Sequence, residues 1–352
     1  MQKTILITAG GTGGHVFPAL ALSHVLKDTY NLIWVGGASG IEHDVVPKHN
    51  INLETINVSA LRGKGLIRLA ILPFILIRAF FQALIIILKY RPDALVGFGG
   101  YATFPISIMG RFLNIPVFIH EQNAIPGLTN KILAKIANAV MVAFPNVLPG
   151  KKTILVGNPV RDSITKIVIP ESRYNNQDNK LRILVIGGSL GAKIFNEIMP
   201  QVCSKLNMQV EVIHQVGRGD VKSVQDEYIN LKISAKVINF IDNIAEVYAN
   251  ADLIICRSGA STVSEVCVAG IAAIFVPYPY AVDDHQFYNA KWLAEENGAK
   301  IMRQAELTIE SLSSLINQLS YNDYLNMAKI ARSFAITDSA MRIQDIIRHK
   351  IG

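Results

Sequence analysis

Two stretches of the chain open in the same way, residues 4–20 (TILITAGGTGGHVFPAL) and residues 183–192 (ILVIGGSLGA). In each, an apolar run reads as a buried strand, a glycine cluster as a tight turn, and the following residues as a helix that begins at the turn. Such a unit aims backbone N–H groups and the positive end of a helix dipole at one point, where an anion or a polar ligand is well received. One glycine turn after a strand is a weak signal, common to many nucleotide sites. Two at similar spacing constrain the chain far more. A dinucleotide enzyme needs one such turn, so the repetition points to a cleft holding two ligands, or one ligand whose ends are held by different domains.

The rest of the pattern agrees with two domains. At 352 residues, half of them hydrophobic, the chain exceeds one ordinary core and can fill two. Strand-like runs alternate with longer helix-like segments, the signature of parallel βαβ units. Strands are predicted at residues 4–8, 32–35, 94–97, 117–120, 140–143 and 154–156, then at 182–186, 210–215, 236–240, 253–256 and 273–276. The polar residues 163–180 are the expected linker. Past Leu307 the chain reads as helical, and residues 341–350 are amphipathic enough to pack back onto another element.

The net charge of +7 favours an acidic partner: a nucleic acid, an anionic membrane surface or a phosphorylated substrate. No dense Lys/Arg run with interleaved aromatics appears, which places nucleic acid last. Cys203, Cys256 and Cys267 are odd in number, lack metal-type spacing and sit in apolar surroundings, as reduced thiols of a cytosolic protein do. The first strand starts so close to Met1 that no signal peptide is expected.

Residues 66–88 form the most hydrophobic stretch, long enough to invite a transmembrane reading. Arg68, Pro73, Arg78 and Gln82 interrupt it, and a βαβ series continues directly after it, which argues against a span. Arg78, Gln82 and Lys89 share one helical face, while Ile75, Phe80, Phe81, Ile85 and Ile86 fill much of the rest. Two readings stay open. One is a core helix with a wet stripe. The other is a helix whose apolar side dips into a bilayer interface, helped by Arg62, Lys64, Arg68, Lys89 and Arg91 at anionic headgroups.

Polar residues gather where α/β proteins bind ligands, directly after strands. Gly97-Phe98-Gly99-Gly100-Tyr101 is a third glycine turn, and His120-Glu121-Gln122-Asn123 ends another strand. Helix capping explains Asn123 alone but not all four; Glu121 is a candidate acid or base and Asn123 a candidate sugar ligand. In the second half, residues 257–265 (RSGASTVSE) leave a strand through Gly259 into a hydroxyl-rich helix start suited to phosphate oxygens. Glu265 can accept both hydroxyls of a ribose, although a carboxylate near a helix start also favours the dipole. Asp283-Asp284-His285-Gln286 is too short a cluster for a metal site and suits hydrogen bonding to a sugar.

Together AGGTGGHVFPAL (residues 9–20), LRGKG (61–65), GFGGY (97–101), HEQN (120–123), VGNPVR (156–161), GGSLGA (187–192) and RSGASTVSE (257–265) closely resemble the MurG-type glycosyltransferases. The match runs in order over most of the chain. It implies an α/β protein of GT-B fold: two Rossmann-like, doubly wound parallel-sheet domains facing a cleft. Residues 1–162 would bind the acceptor and the membrane, with a helix at 338–352 packing back on them, and residues 163–337 would bind UDP-N-acetylglucosamine. The implied activity is inverting transfer of N-acetylglucosamine from that donor to the muramoyl 4-hydroxyl of undecaprenyl-linked muramoyl-pentapeptide (lipid I). The product, lipid II, serves peptidoglycan synthesis. The implied place is peripheral, on the cytoplasmic face of the bacterial inner membrane, beside other cell-wall synthesis proteins.

Carried over position by position, the resemblance implies that Thr12, Gly13 and Gly14 lie near the donor, Asn123 meets its sugar, Arg161 and Ser189 its diphosphate, and Ile241 the uracil. Ala260, Ser261, Thr262, Val263, Ser264 and Glu265 would hold phosphate and ribose, and Gln286 the sugar hydroxyls. No metal and no cofactor is implied. Inversion in one displacement needs a base near the acceptor hydroxyl, for which His15 is the first choice and Glu121 the second. Two departures from the family pattern, Leu190 in GGSLGA and Ser261 in AST, bear on donor selectivity. An apolar patch ringed by basic residues would dock the first domain on the membrane, which favours the interfacial reading of residues 66–88. A UDP-sugar epimerase of the same fold and a non-catalytic nucleotide-sugar-binding subunit are the competing readings.

Overall fold

The computed structural model describes residues 2–58, 65–174, 180–188 and 191–352, with side chains from 72 onward in the helix that opens at Gly65. The chain divides into one unit of Met1–Val160 with Ile336–Gly352 and a second of Arg161–Ala335. In the first, seven strands are all parallel: β1 (Thr4–Ala9), β2 (Asn31–Gly36), β3 (Asn52–Thr55), β4 (Ala94–Gly99), β5 (Val117–Glu121), β6 (Ala139–Val142) and β7 (Thr153–Leu155). Their order is β3-β2-β1-β4-β5-β6-β7. Helices α1 (Gly13–Leu26), α2 (Glu42–Val45), α3 (Gly65–Tyr90), α4 (Thr103–Phe112) and α5 (Leu128–Leu133) lie in the connections.

The order reverses between β1 and β4, the switch point beside which open α/β sheets bind ligands. Ile5, Leu6 and Ile7 are fully buried, as a strand covered by helices on both faces requires. β1 pairs with β4 through Ile5↔Ala94 and Ile7↔Val96, then shifts register so that Ala9 stands opposite Gly99. That irregularity brings two glycine turns side by side at the strand ends.

The second unit repeats the scheme with β8 (Lys180–Ile186), β9 (Gln209–Gln215), β10 (Ser234–Ile238), β11 (Leu253–Cys256), β12 (Ala272–Phe275) and β13 (Lys300–Ile301), in the order β10-β9-β8-β11-β12-β13. Its helices are α6 (Asp162–Thr165), α7 (Pro170–Arg173), α8 (Lys193–Ser204), α9 (Val221–Asn230), α10 (Ile244–Asn250), α11 (Ala260–Ala269), α12 (His285–Glu295), α13 (Ile309–Gln318) and α14 (Tyr321–Ser333). Here the order reverses between β8 and β11, so the second glycine turn and the RSGASTVSE segment stand at neighbouring strand ends.

The segment expected to be a linker is built into the second unit over its described part. The Arg173 guanidinium donates to the carbonyls of Val168, Tyr248, Ala249, Ala269 and Gly270, tying together the C-terminal ends of α10 and α11. The buried Tyr174 hydroxyl donates to Asp252 O and accepts from Ala272 N–H. Polar composition misled because these side chains serve backbone groups rather than solvent. Residues 175–179 of that stretch lie outside the described residues.

After α14 the chain returns to the first unit as α15 (Ser339–Ile351), whose Ile343 and Ile347 are fully buried in the core that also holds Val16, Leu22 and Leu26. Lys3 Nζ donates to the carbonyls of Ile351 and Gly352.

Helix α3 settles into two apolar faces. Ala79, Ala83, Ile86 and Ile87 are buried, with α4 as the packing neighbour, whereas Phe74, Ile77, Phe81, Ile85 and Leu88 are 50–73% exposed. By length and composition Leu72–Tyr90 is apolar enough to cross a membrane. Its polar stripe is partly satisfied at home: Lys89 pairs with Glu54 at 2.7 Å and Gln82 accepts from Asn57 N–H at 2.9 Å. Arg62 and Lys64 lie outside the described residues.

Candidate active site

In the first unit the opening loop is held by its own backbone. Thr12, in extended geometry, stands at the N-cap of α1, and its carbonyl accepts from His15 N–H and Val16 N–H. Its exposed side chain makes no capping bond, which leaves the hydroxyl at the mouth of the helix start. His15 is half-buried, and its Nδ1 lies 3.2 Å from Gly10 O. A carbonyl only accepts, so Nδ1 donates the proton of that bond.

The Gly97–Tyr101 turn lies against this loop. Gly99 and Gly100 have φ of +104° and +93°, and a Cβ on them would come within 3.0 Å of His15 Nε2 and 2.8 Å of Gly10 O. Only glycine permits both the conformation and the approach. Gly13 faces the Phe17 ring in the same way, while Gly14 is open.

The HEQN segment divides its tasks. His120 is fully buried, donates from Nε2 to Gly157 O at 2.9 Å, and packs on Phe98; burial lowers its pKa to about 4 and keeps it neutral. The Glu121 carboxylate, nearly fully buried, accepts from Asn123 N–H and Asn123 Nδ2 on one oxygen, and from Gly127 N–H and Asn130 Nδ2 on the other. With four donors it shapes the β5–α5 turn and presents Asn123. That is poor geometry for a base, whose lone pair must reach a substrate proton.

In the second unit the main feature is the N-terminus of α11. Gly259 stands at the N-cap with no side-chain cap, and Val263 N–H is bonded to Gly259 O. The N–H groups of Ala260, Ser261 and Thr262 belong to the first turn and point out of the helix end. Ser258 Oγ and Ser261 Oγ are buried there with no hydrogen-bond partner among the described residues. Donors and hydroxyls so arranged make an anion site. Within the same segment the Val263 side chain is in the core and its N–H is bonded to Gly259 O.

Further along α11, Glu265 accepts from the Tyr248 hydroxyl at 2.9 Å. Burial raises the Glu265 carboxyl above its ordinary value, while the Arg161 charge and the Tyr248 hydrogen bond pull it down. Arg161 and Glu265 are thus close enough for their charges to interact, and Ser264, next to Glu265, is half-buried. Ser189 and Leu190 lie outside the described residues; the flanking turn is closed by Gly191 N–H donating to Gly188 O.

Gln215 Nε2 bridges Gly188 O to Asn239 O, joining the glycine turn to the segment that carries Ile241. The Ile241 side chain is buried, so any contact with a base there falls to its backbone, while neighbouring Phe240 is 61% exposed. Gln286 Oε1 accepts from Tyr278 N–H, which turns the amide across the β12–α12 loop. In that loop Asp284 pairs with Arg303 at 2.9 Å. Sequence reasoning missed Tyr248, Ser258 and Phe240. Ser258 lay inside a quoted motif, but the other two belong to no local pattern.

Comparison with known proteins accords with this geometry. The model of the glycosyltransferase family 28 N-terminal domain matches residues 5–142, and that of the family 28 C-terminal domain matches residues 182–345. The chain is 44% identical over 347 residues to a Cupriavidus necator protein named UDP-N-acetylglucosamine–N-acetylmuramyl-(pentapeptide) pyrophosphoryl-undecaprenol N-acetylglucosamine transferase, covering 98% of this chain and 97% of the relative. A protein of the same name from Histophilus somni is also 44% identical, with 98% of each chain covered. Among solved structures, Acinetobacter baumannii MurG superposes with a TM-score of 0.88 at 38% identity over 99% of both chains.

Proposed function

The chain belongs to glycosyltransferase family 28, and we infer that it transfers N-acetylglucosamine from UDP-N-acetylglucosamine to the muramoyl 4-hydroxyl of undecaprenyl-pyrophosphoryl-muramoyl-pentapeptide. The observation that carries this is the 44% identity over 98% of the chain to relatives named for that reaction.

The chemistry is a single inverting displacement. The acceptor hydroxyl oxygen attacks the anomeric carbon, the bond from that carbon to the UDP oxygen breaks, and the hydroxyl proton passes to a base. We assign the base to His15 rather than Glu121, because the His15 Nδ1 proton is fixed on Gly10 O and the Glu121 oxygens are engaged by four donors. UDP departs as an anion. The first-turn N–H groups of α11, the hydroxyls of Ser258 and Ser261, and Arg161 are the groups we assign to its phosphates; none needs to reorganise as charge develops. Glu265 takes the ribose hydroxyls, the backbone at Ile241 the uracil edge with Phe240 against its face, and Gln286 and Asn123 the sugar.

The acceptor is a lipid, and we assign membrane docking to the first unit. Phe74, Ile77, Phe81, Ile85 and Leu88 of α3, Phe112 beyond them on α4, and Leu128 on α5 are large apolar side chains exposed to solvent. Arg78, Arg111, Lys131 and Lys135 accompany them on the same helices or just after, a basic ring suited to anionic headgroups.

The test supplies labelled UDP-N-acetylglucosamine with a short-chain analogue of the lipid acceptor. A labelled disaccharide-lipid is expected. Epimerised sugar, or donor binding without product, would overturn the assignment.

A further inference from the structure

Glu42 is the first residue of α2 and is fully buried. Its carboxylate accepts from Gly11 N–H at 3.0 Å on Oε2 and from Gly37 N–H at 3.1 Å on Oε1. Glycine surrounds it: a Cβ on Gly10, Gly36 or Gly40 would fall 2.6, 2.8 or 2.1 Å from its side-chain atoms. Among the described residues no Lys, Arg or His pairs with it. A buried carboxylate without a cation beside it is costly, and here the two backbone N–H donors offset that cost.

The Gly11 N–H and the Gly10 C=O belong to one peptide group. In a trans peptide they point in opposite directions, so Glu42 and His15 stand at the two ends of the same plane. Negative charge at the N–H end polarises the group and strengthens its oxygen as an acceptor for the imidazole Nδ1–H.

We propose that Glu42 is a positioning residue for transfer: through the Gly10–Gly11 peptide it fixes the Nδ1–H tautomer of His15 and raises the basicity of Nε2. This rests on the reading of His15 as base. The arrangement is the acid–imidazole logic of a hydrolase triad with a peptide group between the two side chains. It also accounts for three glycines around Glu42 that no ligand contact requires. During transfer His15 Nε2 accepts the acceptor-hydroxyl proton, and the imidazolium that results is stabilised by the polarised carbonyl.

The test records 15N spectra of enzyme labelled at histidine, with His15 assigned by its loss in His15→Gln, alongside steady-state kinetics. In the unsubstituted enzyme His15 is expected to hold its proton on Nδ1; a proton on Nε2 would overturn the proposal without any Glu42 variant. In Glu42→Gln, where an amide NH2 must face Gly11 N–H or Gly37 N–H, the tautomer is expected to shift. There kcat should fall about tenfold while KM for UDP-N-acetylglucosamine changes less than about twofold. Glu42→Asp retains the charge and is expected to recover part of the kcat. If Glu42→Gln keeps both the tautomer and kcat, the relay is wrong. If His15→Ala retains full turnover, it is the base assignment that fails.

Discussion

Tyr248 Oη stands 2.9 Å from Glu265 Oε2, a hydrogen bond between a fully buried phenol on α10 and the carboxylate we assign to the ribose. The phenol itself stays protonated, because burial and the neighbouring Glu265 charge raise its pKa well above the ordinary value. It therefore acts only as a donor, fixing one carboxylate oxygen. Tyr248→Phe removes the bond that pulls the Glu265 pKa down. The KM for UDP-N-acetylglucosamine should rise about tenfold, the equivalent of roughly 1.4 kcal/mol. It should rise further as pH falls, since Glu265 then protonates at a higher pH than in the unsubstituted protein. Initial-rate kinetics from pH 5 to 8 check both.

Ser258 offers a test in which two readouts move in opposite directions. Its hydroxyl is buried without a partner among the described residues, at the mouth of α11. Ser258→Ala should stabilise the ligand-free protein by about 1 kcal/mol, because an unsatisfied buried hydroxyl is removed. The same substitution should lower the thermal stabilisation conferred by UDP. Melting curves with and without UDP read both effects.

Two neighbouring positions on α3 separate docking from packing. Phe81 is 62% exposed and Ala83 is fully buried. Phe81→Asp should leave the melting temperature nearly unchanged and release the protein from anionic phosphatidylglycerol vesicles in a flotation assay. Ala83→Asp should cost several kcal/mol of stability, about 3 or more, by burying a charge without a partner. Vesicle binding by Phe81→Asp equal to that of the unsubstituted protein would remove α3 from the docking surface.

His120 ties stability to pH. Its pKa is lowered from 6.5 to about 4, with burial as the cause, against which the bond to Gly157 works. Both states are neutral above pH 6.5, so the residue adds no pH dependence there. Between 6.5 and 4 the unfolded chain binds the proton and the folded one does not, so stability falls as pH falls through that window. At pH 4.5 the loss is about 2 to 3 kcal/mol. His120→Gln, which keeps a donor for Gly157 O, should flatten that part of the stability profile in urea unfolding.

The central strands were legible because continuous burial writes itself as continuous hydrophobicity, and the more exposed edge strands β7 and β10 were expected as well. β1, β4, β8 and β11 fall within a residue or two of the expected bounds at each start. β3 and β13 were missed: NLET and KI at sheet edges carry no apolar run. The glycine turns were legible as well, since close approach and positive φ leave no other residue type. What could not be read were partners distant in sequence. Glu42 reaches Gly11, Tyr248 reaches Glu265, and Arg173 reaches Ala269 and Gly270, each a pairing set by strand order rather than by spacing. Glu121 is a different case: its partners Asn123, Gly127 and Asn130 lie within nine residues, but the turn that brings them to its carboxylate follows no apolar pattern.

The return of α15 to the first unit has a consequence for how the protein is made. Ile343 and Ile347 complete the core beside α1, yet a ribosome must translate the whole of Arg161–Ala335 before it reaches them. The apolar seam on α1 thus stays open while the intervening unit emerges and can already fold. Closure of that core waits on residues translated after Ala335, and nascent chains stalled before residue 343 should engage chaperones that bind exposed apolar helices.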